Sequence, residues 1–303
     1  MRVLQLVNTP RSFFDKQVEA LERRGIECTT VTVPGTHDAD QSRSVTDYLR
    51  YYPDVLDHSL DGYDVIHAHY GLMGPFALAQ PDRPVVLTLW GSDLMDEESF
   101  VPRLSRLSAR LSDEVILPST TMSAYLDTPH QILPWGVDTE QFRPVDRSEA
   151  RERLGWPRDE TTVLFPYPPE RDVKNHPLAE RVVSRLDGVS LRTMSGVPYE
   201  DVPYYMNASD AMLVTSKRES GPMVVKEAAA CNVPVVSTDV GFVSDVLDGV
   251  ENSYVRDGET ELADALSDVL DADERSSGRS SIVGLDQMGE DLEAIYRGAI
   301  DGR

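Results

Sequence analysis

Short apolar runs alternate with helix-length amphipathic stretches along the chain. The runs VLQLV (3–7), ECTTVTV (27–33), YDVIHAHY (63–70), PVVLTLW (84–90), DEVILPS (113–119) and QILPW (131–135) read as strands. Helical patterns separate most of them; one is FFDKQVEALERRG, which stops on Gly25. Alternating strands and helices predict parallel strands joined by crossovers, hence a doubly wound α/β sheet.

The pattern pauses over WGVDTEQFRPVDRSEARERLGWPRDET (135–161), which is polar, turn-rich and strandless. Apolar runs resume at 162–167, 189–194, 210–216, 233–238 and 252–255. The chain therefore divides into two Rossmann-like halves with a linker near 136–148. The expected domains are 1–136 and 137–285, and a last helix, 286–303, is expected to pack back toward the first. Two such domains form a cleft, and ligands of open parallel sheets bind beyond the carboxyl ends of the strands.

Charge changes the picture more than hydrophobic content does. Against 29 Lys+Arg stand 52 Asp+Glu, a formal charge of -23, and only Lys16, Lys174, Lys217 and Lys226 are lysines. So many carboxylates strain a compact state in dilute buffer, whereas at about 1 M salt the screening length falls to roughly 3 Å. A halophilic protein is predicted. With no basic stripe to offset the charge, nucleic acid is excluded as the main partner. Cys28 and Cys231 lie among apolar residues and read as small hydrophobes. The start lacks a signal-peptide pattern and no apolar run approaches the roughly 20 residues that span a bilayer, so a cytoplasmic protein is expected.

Candidate chemistry concentrates just after strands. LVTSKRESGPMVVKEAAA (213–230) runs strand, loop, helix, with the helix starting near Gly221 or Pro222. Pro222 fits a first helical turn, and Gly221 lets backbone approach a ligand closely. The free N–H groups of that turn and the helix dipole make an anion site suited to a diphosphate. Glu219 precedes the helix and Glu227 lies inside it, on the order of 10 Å away along the axis. That separation is comparable to the distance between the sugar and the ribose of a nucleotide sugar, and each carboxylate can accept hydroxyl hydrogen bonds. Arg171 and Lys174, three apart near another helix start, can converge on a diphosphate and neutralise charge on a leaving group. In the first half, His67, His69, Trp90 and Asp93 stand at strand ends.

Several motifs are set aside. The DAD triplets at 38–40 and 271–273 follow no core strand convincingly, so no metal site is expected there. No GxGxxG follows the first strand, which disfavours a nicotinamide enzyme. RLSRLSARL (103–111) sets Arg103, Arg106 and Arg110 on one side and Leu104, Leu107 and Leu111 on another. It is expected to pack on the first sheet, with contact to anionic lipid headgroups as the other reading.

The 219–227 stretch resembles the E-x7-E signature of glycosyltransferase family 4, retaining sugar-nucleotide transferases of GT-B fold. VPYYMNASDAMLVTS before it, VPVVSTDVG after it, LPWGVDTEQFRP at the linker and ENSYVRDGETELADAL also resemble that family. The resemblance covers most of 132–296 and is looser over the first 130 residues. FPYPPERDVKNHPLAE (165–180) is similar to the family's phosphate-clamping segment, but Pro166-Tyr167-Pro168 stands where many members carry Gly-Arg. Trp90 stands where histidine is commoner.

The resemblance implies transfer of a hexose from a nucleoside diphosphate sugar to an acceptor hydroxyl with retention. It implies a glycan or lipid-linked acceptor, cell-surface polysaccharide or protein glycosylation as the setting, and peripheral contact with the inner membrane face. By this reading Arg171, Lys174 and Glu219 act at the reacting centre. Ser220, Gly221, Pro222, Met223, Val224 and Glu227 hold the donor, and His69, Trp90 and Asp93 face the acceptor. Neither a metal nor a cofactor is expected. Two alternatives stay open: a non-catalytic sugar-nucleotide-binding subunit, and a nucleotide-sugar epimerase of GT-B fold.

Overall fold

A computed structural model describes residues 1–35, 43–96, 99–219, 221–272 and 274–302. The first DAD triplet and Asp273 of the second thus lie outside the described residues. The chain forms two compact units, one of Met1–Gly136 with Leu285–Arg303, the other Val137–Gly284.

The first unit carries six parallel strands, β1 (Arg2–Val7), β2 (Glu27–Thr32), β3 (Val65–His69), β4 (Val85–Thr88), β5 (Glu114–Leu117) and β6 (Gln131–Ile132), ordered β2-β1-β3-β4-β5-β6. Strands β3 and β4 are buried along their whole length, as parallel strands covered on both faces must be, which is why they read as unbroken apolar runs. Helix Ser12–Arg23 ends where expected: Gly25 adopts φ +78°, and its N–H and that of Ile26 bond the Glu22 and Leu21 carbonyls. Helix Leu285–Asp301 packs beside it. There Gly289 stands against Ala20, and Arg24 bonds Glu293 at 2.6 Å.

In the second unit β7 (Thr161–Phe165), β8 (Val189–Thr193), β9 (Ala211–Val214), β10 (Val235–Ser237) and β11 (Tyr254–Val255) are parallel in the order β11-β10-β9-β7-β8. The chain leaves β7 for β8 on one side and returns to β9 on the other. The loops after β7 and β9 therefore diverge at the switch point where ligands of such sheets bind.

Two expectations need correction. Residues 137–146 are not a free linker but part of the second unit: Val137 N–H bonds the Val283 carbonyl at 3.0 Å and Phe142 is fully buried. The pause in apolar periodicity also conceals helix Arg147–Leu154, capped by Asp146, whose carboxylate accepts the Ser148 and Glu149 N–H groups, and closed by Gly155 at φ +66°. Its buried anchor is Arg151, bonded to the Ala208 carbonyl and to Asp210, so no apolar stripe announces it.

Candidate active site

The loop after β7 makes a 3-10 turn at Asp172–Lys174 and passes through Asn175 at φ +56° into helix His176–Val183. The loop after β9 is stitched to it. Thr215 donates to the Lys174 and Asn175 carbonyls at 3.1 and 3.0 Å, and Lys217 N–H bonds the Val173 carbonyl at 2.8 Å. That stitching brings Lys174 and Glu219, 45 residues apart, into a largely buried ion pair. Ser216 donates to the same Glu219 oxygen at 2.8 Å, and the Tyr167 ring centroid lies 3.8 Å from Lys174 Nζ.

Burial pulls the Lys174 pKa down from the ordinary lysine value; Glu219 opposes this and Arg171 adds to it. Arg171 itself is exposed, so of the two cations only Lys174 is locked in place. Tyr167, part of the Pro-Tyr-Pro departure, is thus a neighbour of the lysine; its ring fills the second side of the amine.

Helix Met223–Ala230 follows. Pro222 is its cap residue and is buried, one position before the first turn where it was placed from the sequence. Gly221 has a packing reason that the sequence reading missed. A Cβ there would lie 2.6 Å from two carbons of the buried Phe242 ring. Met223 and Val224 are partly exposed at the helix start, and Ser220 lies outside the described residues. Glu227 is 8% exposed and accepts the Tyr199 hydroxyl at 2.8 Å; burial pushes its pKa up to about 7 although that hydrogen bond lowers it. Phe142 stands edge-on to Tyr199 at 5.5 Å.

On the first unit the three acceptor candidates take different places. Asp93 is fully buried: Oδ2 accepts the Gly71 N–H at 2.7 Å, and Oδ1 accepts the Trp90 and Gly91 N–H groups at 2.8 Å. Its carboxylate joins the loops after β3 and β4 and has no face free for an acceptor, which corrects its assignment. Burial raises its pKa to about 6 against those hydrogen bonds.

His69 is also fully buried, not open at a strand end. Its Nε2 meets the Gln5 amide oxygen at 2.7 Å, so the proton is on Nε2, and Nδ1 is a bare acceptor without a hydrogen bond among the described residues. Burial, reinforced by His67, holds the ring neutral. His67 is spent on structure, bonding Tyr296 of the last helix at 2.6 Å and Thr88 at 2.7 Å. Trp90 is half-buried in an aromatic cluster with Phe13 and Trp135, at centroid distances of 4.9 and 6.1 Å.

Residues 8–138 match the family model described as Glycosyl transferase 4-like domain, and residues 177–279 match Glycosyl transferases group 1. The chain belongs to the GT4-type glycosyltransferases. D-inositol 3-phosphate glycosyltransferase 1 of Catenulispora acidiphila is 25% identical over 79% of this chain and 73% of its own length. D-inositol 3-phosphate glycosyltransferase of Mycobacterium tuberculosis is 28% identical over 70% of this chain, and the match spans 55% of that relative. Among solved structures, sucrose-phosphate synthase from Thermosynechococcus elongatus superposes with TM-score 0.77 at 17% identity over the full length of both chains. Anabaena HepE in complex with UDP and glucose superposes with TM-score 0.72 at 16% identity, covering 98% of this chain and all of that one. The fold of this glycosyltransferase is GT-B. Both free cysteines are unpaired, and no metal-binding group of three or more His, Cys, Asp or Glu occurs among the described residues.

Proposed function

We propose that this glycosyltransferase moves a hexosyl group from a nucleoside diphosphate sugar to an acceptor hydroxyl with retention at the anomeric carbon. The observation that carries the reading is the Lys174–Glu219 pair at the switch point, with a buried carboxylate, Glu227, eight residues on in the following helix. Lys174, with exposed Arg171 beside it, neutralises the departing diphosphate. Glu219 and the backbone of 220–224 hold the donor sugar, and Glu227 holds the ribose, replacing or joining the Tyr199 hydroxyl that now occupies it.

In the proposed step the bond from the anomeric carbon to the phosphate oxygen breaks, and a bond to the acceptor oxygen forms on the same face. The acceptor proton passes to the departing phosphate oxygen, so no side chain serves as nucleophile and no metal is required. On the first unit, Trp90 is assigned to the acceptor side, the fully buried His69 to the packing behind it at 6.2 Å between ring centroids, and Asp93 to the loop that presents Trp90. The names of the relatives supply the probes: UDP-glucose as donor and an inositol phosphate as acceptor, with lipid-linked glycans the class expected from the sequence.

Incubation of the purified chain with UDP-glucose and related donors, with and without acceptor, is expected to give a glycosylated product and UDP. Release of an isomerised nucleotide sugar without acceptor would replace this reading with the epimerase. Donor binding with neither transfer nor hydrolysis would replace it with the non-catalytic subunit.

A further inference from the structure

The second unit has a cavity at the end of its sheet opposite the loops of Lys174 and Glu219. It is open to solvent, has a volume of about 650 Å³, and lies at the entrances to β7 and β9, where Thr161 begins one strand and Asp210 precedes the other. Strand β7 is 5 residues long, so at roughly 3.3 Å per residue about 13 Å of strand separates this end from the loop that carries Lys174. Arginines converge on the cavity. Asp210 is their hub: Oδ1 accepts Arg147, and Oδ2 accepts Arg151 at 2.8 Å and the Thr162 N–H at 2.7 Å. Two guanidiniums thus share one carboxylate. A third, Arg275, donates to the Ser209 carbonyl at 2.9 Å and to Asn207 Oδ1 at 3.5 Å, and makes no ion pair among the described residues. Burial lowers its pKa from the ordinary arginine value, and the charge of Arg147 lowers it further. The neighbouring acids do not cancel this charge. Asp146 caps its own helix and Glu160 is held by Arg192 and Ser190, while Asp159 and Glu274 are exposed.

We propose that this cavity is a second ligand site of the glycosyltransferase, which binds a phosphorylated sugar or other polyol with its phosphate at Arg147 and Arg275. Guanidinium forks match phosphate oxygens, and an anion there relieves a charge that now has only neutral partners. Arg147 is free to serve it: its side chain is 43% exposed, and Arg151 keeps Asp210 bonded when Arg147 turns away. Size sets the rest of the ligand, because the volume lies in the range of small-molecule pockets and a lone phosphate would leave most of it to water. Of the lining residues only Val145, Val269 and Leu270 are apolar, which suits a hydroxyl-rich body. The exposed carboxylates of Asp159 and Glu274 can accept its hydroxyls. The site lies in the donor-binding unit but at the other end of its sheet, so the inference is independent of the donor reading.

The experiment is calorimetric titration of the full chain with glucose 6-phosphate, inorganic phosphate and glucose, in KCl at which circular dichroism shows it folded. The wild type is expected to bind glucose 6-phosphate saturably, inorganic phosphate more weakly, and glucose not measurably. Arg147→Gln with Arg275→Gln is expected to weaken glucose 6-phosphate binding by about 10-fold or more, since each charged hydrogen bond is worth several-fold. Arg275→Gln alone breaks no ion pair among the described residues, so it should keep the circular dichroism signal and still weaken binding several-fold. Arg171→Gln, an exposed change at the donor loops, is expected to leave binding as in the wild type. No saturable binding by the folded wild type, or equal binding by the wild type and both arginine variants of the cavity, overturns the proposal. Loss of binding in Arg171→Gln instead assigns the phosphate to the donor loops and overturns it as well.

Discussion

The Tyr199 hydroxyl donates to Glu227 Oε1 at 2.8 Å, so the carboxylate proposed to hold a ribose accepts a hydroxyl hydrogen bond from the protein itself. The phenol stands in for the kind of group the carboxylate is proposed to recognise. Burial dominates the electrostatics there, raising the Glu227 pKa from 4.5 to about 7.

A carboxyl that holds its proton more tightly folded than unfolded favours the folded state below pH 4.5, and this advantage is lost as pH rises toward about 7. The shift corresponds to something on the order of 3 kcal/mol. Glu227→Gln is expected to flatten the fall in stability between pH 5 and 7, read from denaturant midpoints. An unchanged slope would show that Glu227 titrates like an exposed acid.

In the Lys174–Glu219 pair the lysine is buried and the carboxylate nearly so, at 6% and 12% side-chain exposure. Removing one partner of such a pair leaves a stranded charge and costs about 3–5 kcal/mol. Lys174→Met and Glu219→Gln are each expected to destabilise strongly, and the double variant by less than their sum. A double-mutant cycle in denaturant gives the coupling; additive losses would mean that the pair is not a unit.

Gly221→Ala is expected to cost about 1–3 kcal/mol by overpacking against Phe242, whatever ligand is present. Phe242→Leu in the same chain should recover part of the lost thermal stability. If Gly221→Ala melts like the wild type, the close approach of Phe242 does not constrain this position.

The strands were legible because a parallel sheet covered on both faces needs apolar residues throughout, as in Val85–Thr88. That Lys174, Glu219 and Glu227 follow core strands was legible too. Their partners were not: the Tyr199–Glu227 bond spans 28 residues and the Lys174–Glu219 pair 45, and no local pattern encodes either. Helix Arg147–Leu154 escaped because a guanidinium, not an apolar stripe, fastens it. Helix Val101–Leu111 buries Ser105 and Ser108 and leaves Leu107 and Leu111 exposed; this escaped because Gly71 and Gly74 dictate it from another element. Asp93 looked available because burial and three backbone donors cannot be read from WGSDL.

With 52 acidic residues against 29 basic ones, the folded state is expected to depend on salt. Circular dichroism during a KCl titration should show signal and melting temperature rising toward molar salt. Full signal and an unchanged melting temperature without salt would remove the halophilic reading.

Lys174, Glu219 and Glu227 are proposed to grip one nucleoside diphosphate sugar. Calorimetric titration of UDP-glucose and related donors into the wild type and Glu227→Gln, in high salt at pH 6 and pH 8, tests it most directly. Wild-type affinity is expected to rise from pH 6 to pH 8 as Glu227 ionises, and Glu227→Gln to bind about 10-fold or more weakly at pH 8 with little pH dependence. Equal affinity of the two proteins at pH 8, or no donor bound by the folded wild type, would contradict it.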